Sequence, residues 1–527
     1  MREKVEKVFR KVKGEFKAVG VTLKENNSID TAAYDYKSKT IVYNPNFVQR
    51  NEEYLEDIFR HEFGHHKWLA NSLENRLWQE IILSPYAKDI QEINETINLF
   101  NDIGVNYRLV RNFGEKTKIN EIYKNSPDFE GFRKSELGGT LLKLLETLTG
   151  RDWGSENYVQ EALDELLEIP WEYRGWTLGI DYGYFVAKRD LIDFYYAIKD
   201  LLEKEKNKLP QRYRYSPQVS EKEARRIVRK LLRKGLVGSK EVSSWYQKRF
   251  PEKVKEIEKK LYKQTGILPG DTAGTRVFPT LDIVLQYLFE IEKYDVKVEP
   301  FMLGKQTEEV TETKPWDLGE PFKDIRWSSY RGFIIPNVTP MKNVRKETSW
   351  GLEHRLEYPN LLIILDDSGS REDQYGVGFH EEVIPDVTVS GVVAKKYLLE
   401  GAKVGVVKFS GTTQYFGYFR DLETVIYTLA SFEGGETFLD TDIVKKAVQE
   451  GRKGNILPDV LLVTDGEIDN AKEIVELFNK YAGRVWVFFM DPELKNNKDY
   501  YSIWQRLKKG KVYFIKRPEE IMRIVLK

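Results

Sequence analysis

Apolar and polar positions recur along this chain with helical spacing in its first three fifths and in continuous apolar runs towards its end. Residues 1–20 read as a helix. Thr40 to Tyr43 (Thr-Ile-Val-Tyr) reads as a short strand, closed by Asn44-Pro45-Asn46. From about Glu52 to Leu73, Leu55, Ile58, Phe59 and Phe63 keep helical spacing, and a further helix is predicted from about Asp89 to Val105. A strand followed by two such helices is an order in which the strand can hold an extended chain by backbone pairing. From 126 to 303 the pattern stays mainly helical. There Ser220-x-x-Glu223 is a capping box, opening a helix with Ala224, Ile227, Val228, Leu231 and Leu232 on one face. Arg225, Arg226, Arg229, Lys230, Arg233 and Lys234 fall on the other face. That face reads first as solvated, with an acidic partner or nucleic acid as the alternative.

After 358 the pattern changes. Leu361 to Leu365 is a continuous apolar run, as in a strand buried on both faces. Val404 to Phe409, Val460 to Thr464, Val485 to Met490 and Val512 to Ile515 repeat it, with helical stretches near 384–400, 440–451 and 470–482 and a last helix from Pro518. This alternation predicts right-handed crossovers and a doubly wound parallel sheet. Residues 304–317 are polar and poor in core formers, and scattered Trp and Tyr continue without clear period to 357. The expected fold is multidomain α/β: an N-terminal α+β domain over 1–125, a mainly helical middle over 126–303, a linker or arm over 304–357, and the parallel-sheet domain over 358–527.

Composition narrows the function classes. At 527 residues, 41% of them hydrophobic, the chain has enough material for several cores. The 83 basic and 83 acidic residues balance, which argues against a dedicated nucleic-acid binder. With no cysteine, disulfides and thiolate metal sites are excluded. The N-terminus is charged rather than apolar and no run of about 18 apolar residues occurs, so no membrane span is expected and the reading is cytoplasmic.

Three of the five histidines stand in Arg60-His61-Glu62-Phe63-Gly64-His65-His66. Four residues apart on a helix, His61 and His65 share a face and can hold one Zn²⁺, while Glu62 is placed to serve as general base. His66 falls off that face and reads as an accessory residue. Zinc needs a third protein ligand, and His354 and His380 belong to other segments. A carboxylate is therefore expected: Asp102 first, Glu95 next as the alternative, Glu92 third. Asn106 shares a helical face with Asp102 and can orient a ligand from behind.

A second cation site is expected at Asp366-Asp367-Ser368-Gly369-Ser370, beyond the first buried strand, where carboxylate and hydroxyl oxygens suit Mg²⁺. Gly434-Gly435-Glu436-Thr437 and Val463-Thr464-Asp465-Gly466 are expected to converge with it at the carboxyl edge of the sheet.

Two resemblances rest on these motifs. Residues 15–125, through Tyr36 to Pro45, His61-Glu62-x-x-His65 and Asp102-x-x-x-Asn106, resemble the metallopeptidase domain at the N-terminus of some prokaryotic von Willebrand A proteins. That resemblance implies a zincin-like fold with Glu62 as base. Residues 358–527 resemble the von Willebrand factor A domain with its metal-ion-dependent adhesion site. The family's Asp-x-Ser-x-Ser falls on Asp366, Ser368 and Ser370, its threonine on Thr437 (or Thr441), and its later aspartate on Asp465. The chain departs from the family in a polar insertion from Arg371 to about Glu382, which contains His380.

The resemblance implies a zinc metallopeptidase with a Mg²⁺-dependent docking domain for a protein partner. The alternative is a non-enzymatic adaptor or co-chaperone of a MoxR-type AAA+ ATPase, or a chelatase-like subunit. No Gly-x-x-x-x-Gly-Lys-[Ser/Thr] loop occurs, so such an ATPase is expected to be a separate chain.

Overall fold

A computed structural model describes residues 2–68, 72–171, 181–205, 217–294, 358–369, 383–435, 437–466, 468–517 and 519–525, with the side chains of 181–187 and Pro492 not described. The expected arm over 304–357, the insertion over 371–382, Ser370, His354 and His380 lie outside the described residues.

The chain opens with α1 (Arg2–Phe16), then β1 (Thr22–Glu25), β2 (Ala32–Asp35) and β3 (Thr40–Tyr43). Next come α2 (Pro45–Arg50), α3 (Leu55–Trp68), α4 (Leu73–Leu83) and α5 (Ile90–Phe113). The small sheet has the order β1-β3-β2, with β3 parallel to β1 and antiparallel to β2. The strand expected at Thr40–Tyr43 is therefore the central one, paired on both sides, and β1 and β2 are the edges of the sheet. The histidine helix starts at Leu55, after a short turn of 3-10 helix over Glu52–Tyr54, and α5 runs eight residues past the expected Val105. Helices α6 (Ile119–Asn125), α7 (Glu130–Lys134), α8 (Glu136–Thr149), α9 (Gln160–Leu167) and α10 (Asp181–Glu205) complete the first layer. Val12, Phe59, Phe63, Ile97, Leu141 and Phe194 lie in one core with the small sheet.

Helices α11 (Glu221–Arg233), α12 (Ser239–Arg249) and α13 (Pro251–Thr265), a hairpin of β4 (Thr272–Ala273) and β5 (Arg276–Val277), and α14 (Leu281–Glu292) follow. Ser220 caps α11, accepting from the Glu223 N–H, and all five expected apolar positions of that helix are buried. Much of its basic face is spent on ion pairs: Arg225 and Arg229 reach Glu292, and Lys230 and Lys234 reach Glu74.

The C-terminal part is β6 (Leu361–Asp366), α15 (Pro385–Leu399), β7 (Val404–Phe409), β8 (Thr413–Phe419), α16 (Leu422–Leu429) and α17 (Thr441–Glu450). It continues with β9 (Asp459–Thr464), α18 (Ala471–Tyr481), β10 (Val485–Phe489), α19 (Lys498–Trp504), β11 (Gly510–Phe514) and α20 (Glu519–Val525). The six-stranded sheet has the order β11-β10-β9-β6-β7-β8. Five strands are parallel, as the alternation predicts; β8 adds an antiparallel edge through a hairpin with β7. Every residue of β6, β7 and β9 is buried. Successive residues of β6 alternate between two cores: Leu361, Ile363 and Leu365 pack with α15 and α16, and Leu362 and Ile364 with α17 and α18.

The helical stretch between the two sheets is shared between cores. Buried residues of α6, α8, α9 and α10 join the first core, whereas those of α11–α14 pack against the large sheet. Helix α4 crosses over: Leu73, Leu77, Trp78, Ile81 and Ile82 belong to the core of the large sheet. Among the described residues no helix is long and apolar enough to cross a membrane.

Candidate metal centres

Helix α3 buries Leu55, Ile58, Phe59 and Phe63 against α1 and α5 and carries His61, Glu62 and His65 on the remaining face. Arg60 is buried and fixes its rotation, meeting Glu15 of α1 at 3.0 Å and donating to the Lys116 carbonyl at 2.9 Å. Gly64 lets α5 come close: a Cβ there would stand 2.5 Å from Val105 Cγ1. That approach sets Asp102 opposite the histidines.

His65 Nε2 lies 3.1 Å and His61 Nε2 3.5 Å from Asp102 Oδ1, and the two Nε2 atoms are 3.1 Å apart. Asp102 is thus the carboxylate that α5 brings to the pair, and the three donor atoms lie within 4.8 Å of one another. Two imidazoles and one carboxylate, with His65 buried and the other two partly buried, form a group that could hold a metal ion. The opposite nitrogen of His61, Nδ1, is 2.8 Å from Asn106 Oδ1, which as acceptor fixes the ring tautomer and leaves Nε2 to face Asp102 and His65. Glu95 and Glu92 are turned elsewhere. Glu95 accepts from Gln91 at 2.7 Å and Glu92 from the Tyr195 hydroxyl at 2.8 Å, so the alternatives to Asp102 do not join the group.

Electrostatics follow from crowding in a dry floor. Burial alone would raise the Asp102 carboxyl; hydrogen bonds and charge from His61 and His65 outweigh it and hold it well below the usual carboxylate range. Burial lowers His61, but its bond to Asp102 and the nearby acids leave it raised. Glu62 is raised, chiefly by burial, against the opposing charges of His61 and His65.

Glu62 also lies near the backbone N–H of Tyr34, which counters part of the rise that burial causes. This contact reveals the element that sequence reading missed. β2 is the outer strand of the small sheet; Thr31 O accepts from Asn44 N on the inner side, so alternation turns the backbone of Ala32 and Tyr34 to the open side. Ala32-Ala33-Tyr34-Asp35 has no β-branched residue, and the Asn and Ser before it are turn-formers, so only the pairing with β3 could have disclosed it. The side chain of Tyr34 reaches His66, hydroxyl to Nδ1 at 2.8 Å, which gives the accessory histidine its role as a brace for β2. A cleft opens between this edge and α6. His61, Glu62, His65 and Asp102 form its floor; Tyr36, Phe47, Ile119, Ile122 and Tyr123 are among its walls.

The second constellation lies at the carboxyl ends of β6 and β9. Asp366 is fully buried; it accepts from the Ser368 N–H at 2.9 Å and from the Thr464 hydroxyl at 2.5 Å. Gly369 N donates to Gly435 O at 3.0 Å and Gly434 N to Asp367 O at 3.2 Å, which joins the first loop to the second. Thr437 Oγ1 stands 3.9 Å from where a Cβ of Gly466 would be, which joins the second to the third. Asp366, Ser368, Thr437 and the Thr464–Gly466 turn carrying Asp465 are thereby gathered, whereas Thr441 is the first residue of α17. Carboxylate and hydroxyl oxygens of this kind suit a hard cation.

No family profile and no curated protein matches the chain. Among solved structures it is similar to the PilB minor pilin from Streptococcus sanguinis, with 14% identity and a TM-score of 0.26, over 36% of this chain and 64% of that one. A point mutant of that pilin gives 13% identity with the same TM-score and coverage. The similarity spans less than two thirds of the pilin's own length.

Proposed function

We propose that this chain is a zincin-like, zinc-dependent metallopeptidase. Its C-terminal part acts as a von Willebrand A domain, engaging a protein partner or substrate through Mg²⁺ at a metal-ion-dependent adhesion site. The carrying observation is that His61, His65 and Asp102 converge beside Glu62 on the floor of a cleft edged by an open strand. Zn²⁺ bound there supplies Lewis acidity towards a carbonyl and lowers the pKa of a water to about 7.

The chain's own residues do the rest. His61, His65 and Asp102 hold the cation, and Asn106 keeps the His61 ring in register. A peptide laid along β2 pairs with the outward groups of Ala32, in the manner of an added strand. Glu62 takes a proton from the attacking water on its carboxylate and delivers it to the leaving amide nitrogen. Its raised proton affinity suits both halves of that transfer.

The test is metal analysis with cleavage. The full chain should carry about one zinc and cleave casein or itself. Glu62→Gln should keep the zinc and abolish cleavage. Zinc absent from carefully purified protein, or cleavage indifferent to Glu62→Gln, removes the peptidase reading.

The convergence of three loops at Asp366 favours a second reading, the adaptor of a separate MoxR-type AAA+ ATPase or a chelatase-like subunit, working in the cytoplasm. Asp366→Ala should then release a co-purifying partner without unfolding the sheet, and a partner retained as well as by wild type counts against it.

A further inference from the structure

The β4–β5 hairpin, which comes from the helical layer, reaches into the Asp366 loop cluster. Val277 and Phe432 exchange both backbone bonds, at 2.7 and 2.8 Å, so β5 adds itself to the chain just before Gly434. The next residue inward, Arg276, is 2% exposed, which is rare for an arginine and requires partners. Its guanidinium is shared among three segments. One nitrogen meets Asp367 Oδ2 inside the first loop. Another meets Glu433 Oε2 at 2.8 Å, at the entrance to the second loop. The third meets Gln414 Oε1 of β8 at 2.9 Å.

Asp367 sits between Asp366 and Ser368 and is fully buried. Its carboxylate is answered from behind by Arg276 and, at 3.5 Å, by the buried Lys408 of β7. Glu433 is fixed in turn by Thr275, Ser410 and Thr412. The planar fork of arginine is suited to such a three-way tie, and lysine is not.

Resting on the reading that the Asp366 loops bind a hard divalent cation, we propose that Arg276 is a positioning residue for that site. It clamps the first and second loops together, so that cation affinity depends on the hairpin being seated. The coupling is reciprocal: a cation at Asp366 must stabilise the seated hairpin by the same factor.

The experiment uses the full chain with its zinc in place and Mn²⁺ as the paramagnetic probe. Asp366→Asn identifies the loop site by the Mn²⁺ binding that it removes. Arg276→Met should weaken that binding about 10-fold to 100-fold, the usual cost of losing a partner that orients metal ligands. If Arg276→Met, folded by circular dichroism, binds within about twofold of wild type, the proposal is overturned. If Asp366→Asn itself removes no binding, the reading beneath it fails instead.

Should Arg276→Met not fold, wild type alone decides. Mn²⁺ should slow hydrogen exchange at the amides of Val277 and Phe278, and do so only while Asp366 is intact. Unchanged exchange at those amides on saturation with Mn²⁺ overturns the proposal.

Discussion

At the scale of single residues, the His61–His65–Asp102 group depends on what stands behind it. Asn106 holds the far nitrogen of His61, so Asn106→Ala should lower zinc affinity about 10-fold to 100-fold while leaving Glu62 in place; competition with a chromogenic chelator measures it. The His61–Asp102 pair also makes a pH prediction for the metal-stripped chain. Asp102 is held low, so its contribution to stability is present above its unfolded value of about 3.9 and is lost as pH falls through its folded one. His61 is raised, so its contribution is full below about 6.5 and is lost as pH rises through its folded value. Metal-free wild type should therefore exceed metal-free Asp102→Asn in melting temperature most between about pH 4 and 6.5, with the gap narrowing as pH rises. A gap that widens towards alkaline pH contradicts the assignment.

The residues of this centre were legible early because a short string carries most of the chemistry. His61, Glu62 and His65 need only helical spacing to converge, whereas for the carboxylate the sequence ranked Asp102 ahead of Glu95 and Glu92 without excluding either. Arg276 declared nothing: it is 91 positions from Asp367, and an isolated arginine in a turn-rich stretch reads as solvated.

At the scale of elements, the contact of α3 with α5 decides whether the donors meet. Gly64 has Val105 Cγ1 at 2.5 Å and Trp68 ring atoms at 3.2 Å from its would-be Cβ. Gly64→Ala should thus destabilise by about 1–3 kcal/mol through overpacking, despite the better helix propensity of alanine. Urea unfolding measures this, and Gly64→Ala with Val105→Ala should recover part of the loss.

The parallel strands were readable because both faces of β6, β7 and β9 are buried, which writes continuous apolar runs. The edge strands β2 and β8 were not, although β11 was. In β8 all residues except Phe419 are half-buried, and Gly417 interrupts the pattern. β2 is four residues long.

At the scale of the molecule, buried charge ties the layers. Glu80 of α4 is fully buried; it accepts from Trp245 Nε1 of α12 at 3.1 Å and faces Arg76 and Arg249, each at 3.7 Å. Removing Glu80 takes away the buried counter-charge that Arg76 and Arg249 face, so Glu80→Ala should cost about 3–5 kcal/mol, seen by denaturant unfolding followed through tryptophan fluorescence. This network was invisible to sequence reading because its members come from helices 165 positions apart in the case of Trp245 and Glu80.

Helix α4 lies between the two helices that carry His61, His65 and Asp102, yet gives its apolar side to the distant sheet. The polypeptide is consequently laced: neither half can be cut free with its interior whole. A fragment ending at Glu205 would leave Leu77, Trp78 and Ile81 bare and should aggregate, whereas the intact chain should melt once, as a single cooperative body. Whatever grips the loops around Asp366 therefore pulls on a frame that the His61–His65–Asp102 cleft shares.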